Sequence, residues 1–133
     1  MPGLSDVSIV IVEDHDDTRS FLAEFLTRQG ATVHACPDAA NGLQAVGEHR
    51  PDVVLSDISL PGKNGFELLK DIRGLGPAEG GDVPVISMTA FAWQLNRDRS
   101  MAAGFHTHLQ KPFGPGQLLE AILSAVGKGR ANI

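Results

Sequence analysis

The strongest constraint on the fold of this chain is an alternation of two apolar patterns along its length. Short runs rich in β-branched residues predict five strands, and between them apolar residues recur at helical spacing. The predicted strands are residues 7–12, 31–36, 53–56, 83–88 and 106–109. Strands that alternate with helices form a parallel sheet with helices on both faces, so the predicted fold class is α/β.

Five helices are predicted, four of them from a clear apolar face. In chain order, these faces are Phe21, Leu22, Phe25 and Leu26; Ala39, Leu43 and Val46; Phe66, Leu69 and Ile72; and Leu118, Ile122, Ala125 and Val126. A weaker fourth helix is predicted at about residues 91–103, because the sequence NRDRS interrupts its apolar stripe. Asn64 is expected to cap the third helix, and Gly30 and Gly104 are expected to end helices.

Length and charge limit the class of function. A chain of 133 residues suits one domain, and we expect its core at about residues 7–126, with 127–133 as a tail or the start of a linker. The balance of 16 acidic against 11 basic residues argues against sequence-independent binding of nucleic acid. A single cysteine excludes an internal disulfide, and the absence of a long apolar run or a secretion signal favours a cytoplasmic location.

Polar residues cluster where the predicted strands end. Glu13 and Asp14 follow the first strand, Asp57 the third, Thr89 the fourth and Lys111 the fifth. The carboxyl ends of parallel strands lie at one edge of the sheet, where open α/β sheets bind ligands, so these groups are expected to converge. Three close carboxylates repel one another unless a cation joins them, and a set of oxygen ligands favours Mg²⁺.

This combination of groups is suited to phosphoryl transfer onto aspartate. Asp57 is the expected nucleophile because it stands alone on a central strand, whereas Glu13 and Asp14 form a pair better placed to hold metal. Lys111 offers a point charge to a phosphoryl oxygen, and Thr89 offers a hydroxyl donor. The alternative for each residue taken singly is a structural role, such as capping the first helix by Glu13 and Asp14.

Four motifs, in this order and at these spacings, resemble those of response-regulator receiver domains. They are IVEDHDD, VVLSDISLPGKNG, SMTA and AAGFHTHLQKPF. The resemblance extends over about residues 7–126, and the last motif is similar to receivers of hybrid sensor kinases in particular. It implies a single receiver domain with the flavodoxin-like fold: a doubly wound parallel sheet in the order 2-1-3-4-5, covered by five helices.

The resemblance also implies the roles of the central site residues. Asp57 would accept a phosphoryl group from the phosphohistidine of a histidine kinase or a histidine phosphotransfer protein, and Lys111 would pair with that group. Mg²⁺ would bind Glu13, Asp14, Asp57 and the backbone carbonyl of Ser59. Such a domain is a phospho-acceptor switch with slow self-dephosphorylation, not a turnover enzyme.

Further residues take their expected roles from the same resemblance. Thr89 would move toward the phosphoryl group together with a switch residue, which is usually aromatic in the family but is His108 in this chain. Ser59 and Phe91 would tune the lifetime of the phosphoryl group. The residues expected to shape the loops are Pro61, Gly65 and Pro112, the last after a cis peptide bond. The output would be the binding of a protein target at the surface of the fourth helix, fifth strand and fifth helix. No nucleic-acid or membrane partner is expected. The protein would be a monomer or a weak homodimer.

Three other functions were weighed against the phospho-acceptor. A phosphatase of the haloacid-dehalogenase type needs a second aspartate two residues after the nucleophile, where this chain has Ser59. A flavodoxin-like flavin carrier needs phosphate-binding groups in its first loop, where the chain has the acidic EDHDD. A degenerate receiver that binds partners without phosphorylation is disfavoured because all five active-site positions are intact. The cognate kinase, the stimulus and the downstream target do not follow from the sequence.

Overall fold

The computed structural model describes residues 3–90 and 104–130, and its centre is a five-stranded parallel sheet. The strands are β1 (Ser8–Val12), β2 (Thr32–Cys36), β3 (Val53–Asp57), β4 (Val85–Thr89) and β5 (Thr107–Gln110). Their order in the sheet is β2-β1-β3-β4-β5, so the predicted order is confirmed. The strands β1, β3 and β4 are almost wholly buried, and β2 and β5 form the half-exposed edges.

Four α-helices lie within the described residues. They are α1 (Asp16–Arg28), α2 (Ala39–His49), α3 (Gly65–Arg73) and α4 (Pro115–Arg130), with a short 3-10 turn at Pro77–Glu79. The predicted fourth helix, at about residues 91–103, lies outside the described residues. Among the helices in residues 3–90 and 104–130, none combines the length and the hydropathy of a membrane span.

Side chains of the central strands alternate between two hydrophobic clusters, one on each face of the sheet. The first cluster joins the sheet to α1 and α4, and includes Ile9, Ile11, Leu22, Leu26, Leu55, Ile86, Met88, Leu118 and Ile122. The second joins it to α2 and α3, and includes Val10, Val12, Val46, Val54, Leu68, Leu69, Ile72 and Val85. A sheet covered on both faces explains why the central strands carry apolar residues at nearly every position.

The apolar face of α1 is narrower than predicted. Leu22 and Leu26 are buried, but Phe21 is 63 % exposed and stacks on Phe25, with the ring centroids 6.3 Å apart. Successive helical residues are rotated by about 100°, so Phe21 points well away from the side on which Leu22 and Leu26 meet the sheet. Phe21 was predicted to share one apolar face with Leu22, Phe25 and Leu26, but it lies outside the buried part of that face.

The capping residues of α1 and α3 mark where these helices meet the loops after β1 and β3. Asn64 accepts a hydrogen bond from the Glu67 amide and forms a capping box with it, so the predicted cap of α3 is confirmed. Gly30 follows the last turn of α1 at φ 101°, in the left-handed region that favours glycine. The cap of α1 differs from expectation: His15 occupies the N-cap position, and its side chain makes no capping hydrogen bond.

Candidate functional site

Lys111 joins two carboxylates that are distant in the sequence. Its Nζ donates to Glu13 Oε1 at 2.7 Å and to Asp57 Oδ2 at 2.9 Å. Its backbone N–H donates to the carbonyl oxygen of Thr89 at 2.7 Å, which anchors the residue directly after β5 to the end of β4. Glu13, Asp57 and Lys111, at the ends of β1, β3 and β5, therefore lie together, as expected for the carboxyl edge of a parallel sheet.

Glu13 is the most enclosed of the acidic residues, with no exposed surface. Its Oε2 accepts the backbone N–H of His15 at 3.2 Å and lies 3.1 Å from His15 Nδ1. Burial alone would raise the pKa of Glu13, but hydrogen bonds from Lys111 and His15 outweigh burial and lower the pKa to about 2. Glu13 is thus held as a charged carboxylate whose two oxygens face different partners.

Asp57 is the last residue of β3, and only 4 % of its surface is exposed. Its Oδ1 accepts the backbone N–H of Ser59 at 3.1 Å, while its Oδ2 faces Lys111. Burial raises the pKa of Asp57, Lys111 opposes the rise, and the nearby charge of Glu13 adds to it. Two carboxylates that share one ammonium group are only partly neutralised, which favours a further cation at this edge.

Four side chains at this edge of the sheet have the spacing of a cation site. Glu13, Asp14, His15 and Asp57 each offer one ligand atom, and these atoms lie within 4.8 Å of one another. Asp14 Oδ1 is buried and makes no hydrogen bond, although His15 Nδ1 lies 3.5 Å away. A buried carboxylate oxygen without a donor is costly unless a cation satisfies it. The oxygen donors and this unsatisfied atom fit Mg²⁺.

Four other site residues were predicted, namely Thr89, His108, Ser59 and Phe91. Thr89 ends β4 and is 2 % exposed, next to the acidic cluster along the sheet edge. His108 lies on β5, half-buried and paired in register with Ser87, one strand further out. Ser59 is exposed in the loop after β3. Phe91 lies outside the described residues.

Two of the three predicted loop residues, Gly65 and Pro112, adjoin site residues. The peptide bond between Lys111 and Pro112 is cis, and Pro61 is exposed in the loop between β3 and α3. Gly65 opens α3 directly against β3: a Cβ atom there would lie 2.6 Å from the Asp57 carbonyl oxygen and 2.9 Å from Ile58 Cα. No side chain fits into that space, so the close approach of α3 to Asp57 requires glycine.

Two residues that contact the site were not among the predicted site residues. From the sequence, the position of His15 beside two acids suggests a transition-metal ligand, but a solvated loop histidine was the favoured interpretation. Its side chain is 71 % exposed, yet its ring nitrogen faces Glu13 and Asp14. Arg19 of α1 donates from Nη1 to the Glu13 carbonyl oxygen at 2.9 Å and so holds the loop after β1. Adjacency to the acidic pair was a signal for His15, whereas nothing in the sequence pattern distinguishes Arg19 from other charged residues of α1.

Comparisons with known proteins agree with this geometry. The family model "response regulator receiver domain" matches residues 9–123. A Leptolyngbya boryana protein named "uncharacterized 14.6 kDa protein in sodA1 3′ region" is 33 % identical over 92 % of each chain. The polar-differentiation response regulator DivK of Brucella anthropi is 30 % identical over 90 % of this chain and 96 % of its own.

A solved structure shares the fold closely. The receiver domain of the sensor histidine kinase PA1611 from Pseudomonas aeruginosa, with a magnesium ion coordinated in its active-site cleft, gives a TM-score of 0.82. It is 28 % identical to this chain, and the match covers 91 % of this chain and 98 % of that one. The chain spans about half the length of the transcriptional regulatory proteins CseB and KdpE, which it also matches.

Proposed function

The chain belongs to the response regulator receiver domain family, and we propose that the Asp57 carboxylate is its phosphoryl acceptor. Receiver domains are phospho-acceptor switches of two-component signalling, and they are not enzymes of metabolism. They take the phosphoryl group from histidine kinases or phosphotransfer proteins. The observation that carries the proposal is the contact of Lys111 with both Asp57 and Glu13 at the carboxyl edge of the sheet.

The contacts of the two buried carboxylates distinguish the acceptor from the cation ligand. Glu13 is fully buried and both of its oxygens have partners, since Lys111 faces one and His15 the other. Asp57 ends the central strand β3, and its two oxygens also have partners, Lys111 at Oδ2 and a single backbone N–H at Oδ1. Unlike Glu13, however, it retains a small exposed surface. An incoming phosphoryl group therefore reaches Asp57 more readily than Glu13.

The proposed step transfers one phosphoryl group between two side chains. An oxygen of the Asp57 carboxylate attacks phosphorus, the P–N bond of the donor phosphohistidine breaks, and the donor imidazole leaves with the bonding electron pair. In this step the Lys111 ammonium group pairs with a phosphoryl oxygen, and the Thr89 hydroxyl donates a hydrogen bond to another phosphoryl oxygen. The product is an acyl phosphate on Asp57, and the domain changes the populations of two conformations.

The proposed cation is Mg²⁺, held by Glu13, Asp14, Asp57 and the backbone carbonyl of Ser59. When bound, it supplies positive charge to the carboxylates and to the oxygens of the phosphoryl group. The unsatisfied Asp14 oxygen and the oxygen-rich cluster support this ligand set. Removal of the ion should therefore weaken both phosphoryl uptake and the packing of the loop after β1.

The remaining roles are proposed on the family pattern. The whole of residues 1–133 is proposed to be one receiver domain with five helices, and the surface of the predicted helix at 91–103, β5 and α4 is proposed to bind a downstream protein. Thr89 and His108 are the proposed switch pair. Ser59 and Phe91 remain predicted to tune the lifetime of the acyl phosphate. We propose a cytoplasmic monomer or weak homodimer with no nucleic-acid or membrane partner.

Phosphoryl uptake from acetyl phosphate tests the proposal. The wild-type chain should gain 80 Da by mass spectrometry when Mg²⁺ is present, about the mass that a phosphoryl group adds to a carboxylate. Asp57→Asn, which keeps the shape of the side chain, should gain nothing, and the matched variant Asp82→Asn, at an exposed position before β4, should behave as the wild type. Uptake by Asp57→Asn, or uptake that needs no divalent ion, would contradict the assignment.

A further inference from the structure

His15 occupies a position where its side chain has no role in capping the helix. It is the N-cap residue of α1, a position that favours Ser, Thr, Asp or Asn because their oxygens accept helix amide hydrogens. The His15 ring makes no such hydrogen bond. It turns back instead toward the two acidic residues that precede it, with Nδ1 as the atom that faces them.

The distances from His15 Nδ1 are those between neighbouring ligands of one ion. Nδ1 lies 3.1 Å from Glu13 Oε2 and 3.5 Å from Asp14 Oδ1. Two ligand atoms at about 2.1 Å from the same ion lie about 3.0 Å apart at a right angle and about 3.4 Å apart at a tetrahedral angle. The imidazole nitrogen and the two carboxylate oxygens therefore already have the separations that a shared cation needs.

The carboxylate oxygens that face His15 are not the ones that Lys111 contacts. Lys111 contacts Glu13 Oε1, which leaves Glu13 Oε2 to the backbone and ring of His15. Asp14 Oδ1 is buried and has no hydrogen-bond donor. Arg19 holds the carbonyl of Glu13, so the loop that presents the three ligand atoms is anchored to α1.

We propose that His15 is an additional ligand, through Nδ1, of the divalent cation at this site, and that Nδ1 gives up its proton to solvent when the ion binds. The inference rests on the proposed cation site and extends it to metal preference. Imidazole is a poor ligand for Mg²⁺ but a good one for Zn²⁺, Ni²⁺ and Co²⁺. A site of three carboxylates and one imidazole therefore binds such ions more tightly, relative to Mg²⁺, than a site of carboxylates alone.

Metal titrations of the tag-free chain test the role of His15 separately from that of the acidic residues. His15→Phe keeps a planar ring at this exposed position and removes both nitrogens. We expect it to weaken Co²⁺ binding at least about tenfold, because loss of a metal-orienting group costs that much or more, and to change Mg²⁺ binding less than about threefold. Pulsed electron paramagnetic resonance of bound Mn²⁺ should show a coupled imidazole nitrogen in the wild type and none in His15→Phe.

Two further variants separate the possible failures. His49→Phe removes a histidine far from the acidic cluster and should leave both affinities unchanged. Asp14→Asn should weaken both Co²⁺ and Mg²⁺. Equal Co²⁺ affinity in wild type and His15→Phe, with Mg²⁺ binding still dependent on Asp14, would overturn the inference and leave the proposed function standing. If Asp14→Asn binds Mg²⁺ with the same affinity as the wild type, the cation site itself is refuted.

Discussion

Replacement of Gly65 by alanine tests whether the contact between α3 and β3 positions the acceptor. The added Cβ would lie 2.6 Å from the carbonyl oxygen of Asp57 and 2.9 Å from the Cα of Ile58. Both neighbours are backbone atoms, which cannot move aside by changing a rotamer. The helix must therefore retreat from the strand, or the end of β3 must shift with Asp57.

The size of the effect follows from these distances. Carbon atoms pack best at about 3.5 Å, so the new Cβ is about 0.6 Å too close to Ile58 Cα. Overpacking of this kind costs about 1–3 kcal/mol, and the helix propensity of alanine offsets less than about 1 kcal/mol at the first helical position. We expect Gly65→Ala to lose about 1–2 kcal/mol of the free energy of unfolding.

A matched glycine provides the control. Gly47 is exposed in α2, and a Cβ there meets nothing within 4 Å, so Gly47→Ala should gain about 0.5–1 kcal/mol. Urea unfolding followed by circular dichroism measures both changes. Because catalytic geometry is sensitive to shifts below about 1 Å, uptake from acetyl phosphate should slow by about tenfold in Gly65→Ala and stay unchanged in Gly47→Ala. Equal stability gains in the two variants would refute the steric reasoning.

Two further predictions concern the packing and the surface. Arg73 donates hydrogen bonds to the carbonyl oxygens of Gly81 at 2.9 Å and Val83 at 2.7 Å. Arg73→Met should therefore lower the free energy of unfolding by about 2 kcal/mol in urea titrations. An unchanged free energy of unfolding would show that water replaces these hydrogen bonds. The ring of His34 stacks on His49 at 3.6 Å, and burial and the charge of His49 lower the pKa of His34, while Glu48 opposes this. His34 therefore takes up a proton more readily in the unfolded chain than in the folded one. As the pH falls from about 7.5 to about 5.5, the free energy of unfolding of the wild type should decrease relative to that of His34→Gln. A difference between the two proteins that is independent of pH would contradict this.

The site positions were predictable because their chemistry is tied to strand ends. Glu13 and Asp57 each stand where a run of β-branched residues stops, Lys111 follows the short strand β5, and parallel strands bring such positions to one edge. The face of α1 was less predictable. Phe21 has the same apolar character as Leu22, and only the angle at which the helix meets the sheet left it exposed.

Periodicity and residue type by themselves determined the alternation of strands and helices, the buried face of the last helix, and the gathering of acids and an amine at one edge. The tertiary structure alone decided which oxygen meets which donor. It gave Lys111 two carboxylates, turned His15 toward Asp14, and brought Gly65 against the backbone of Asp57. The physical reason is that hydropathy patterns specify which face of an element is buried, whereas contacts of about 3 Å depend on the distance and angle between elements that are far apart in the chain.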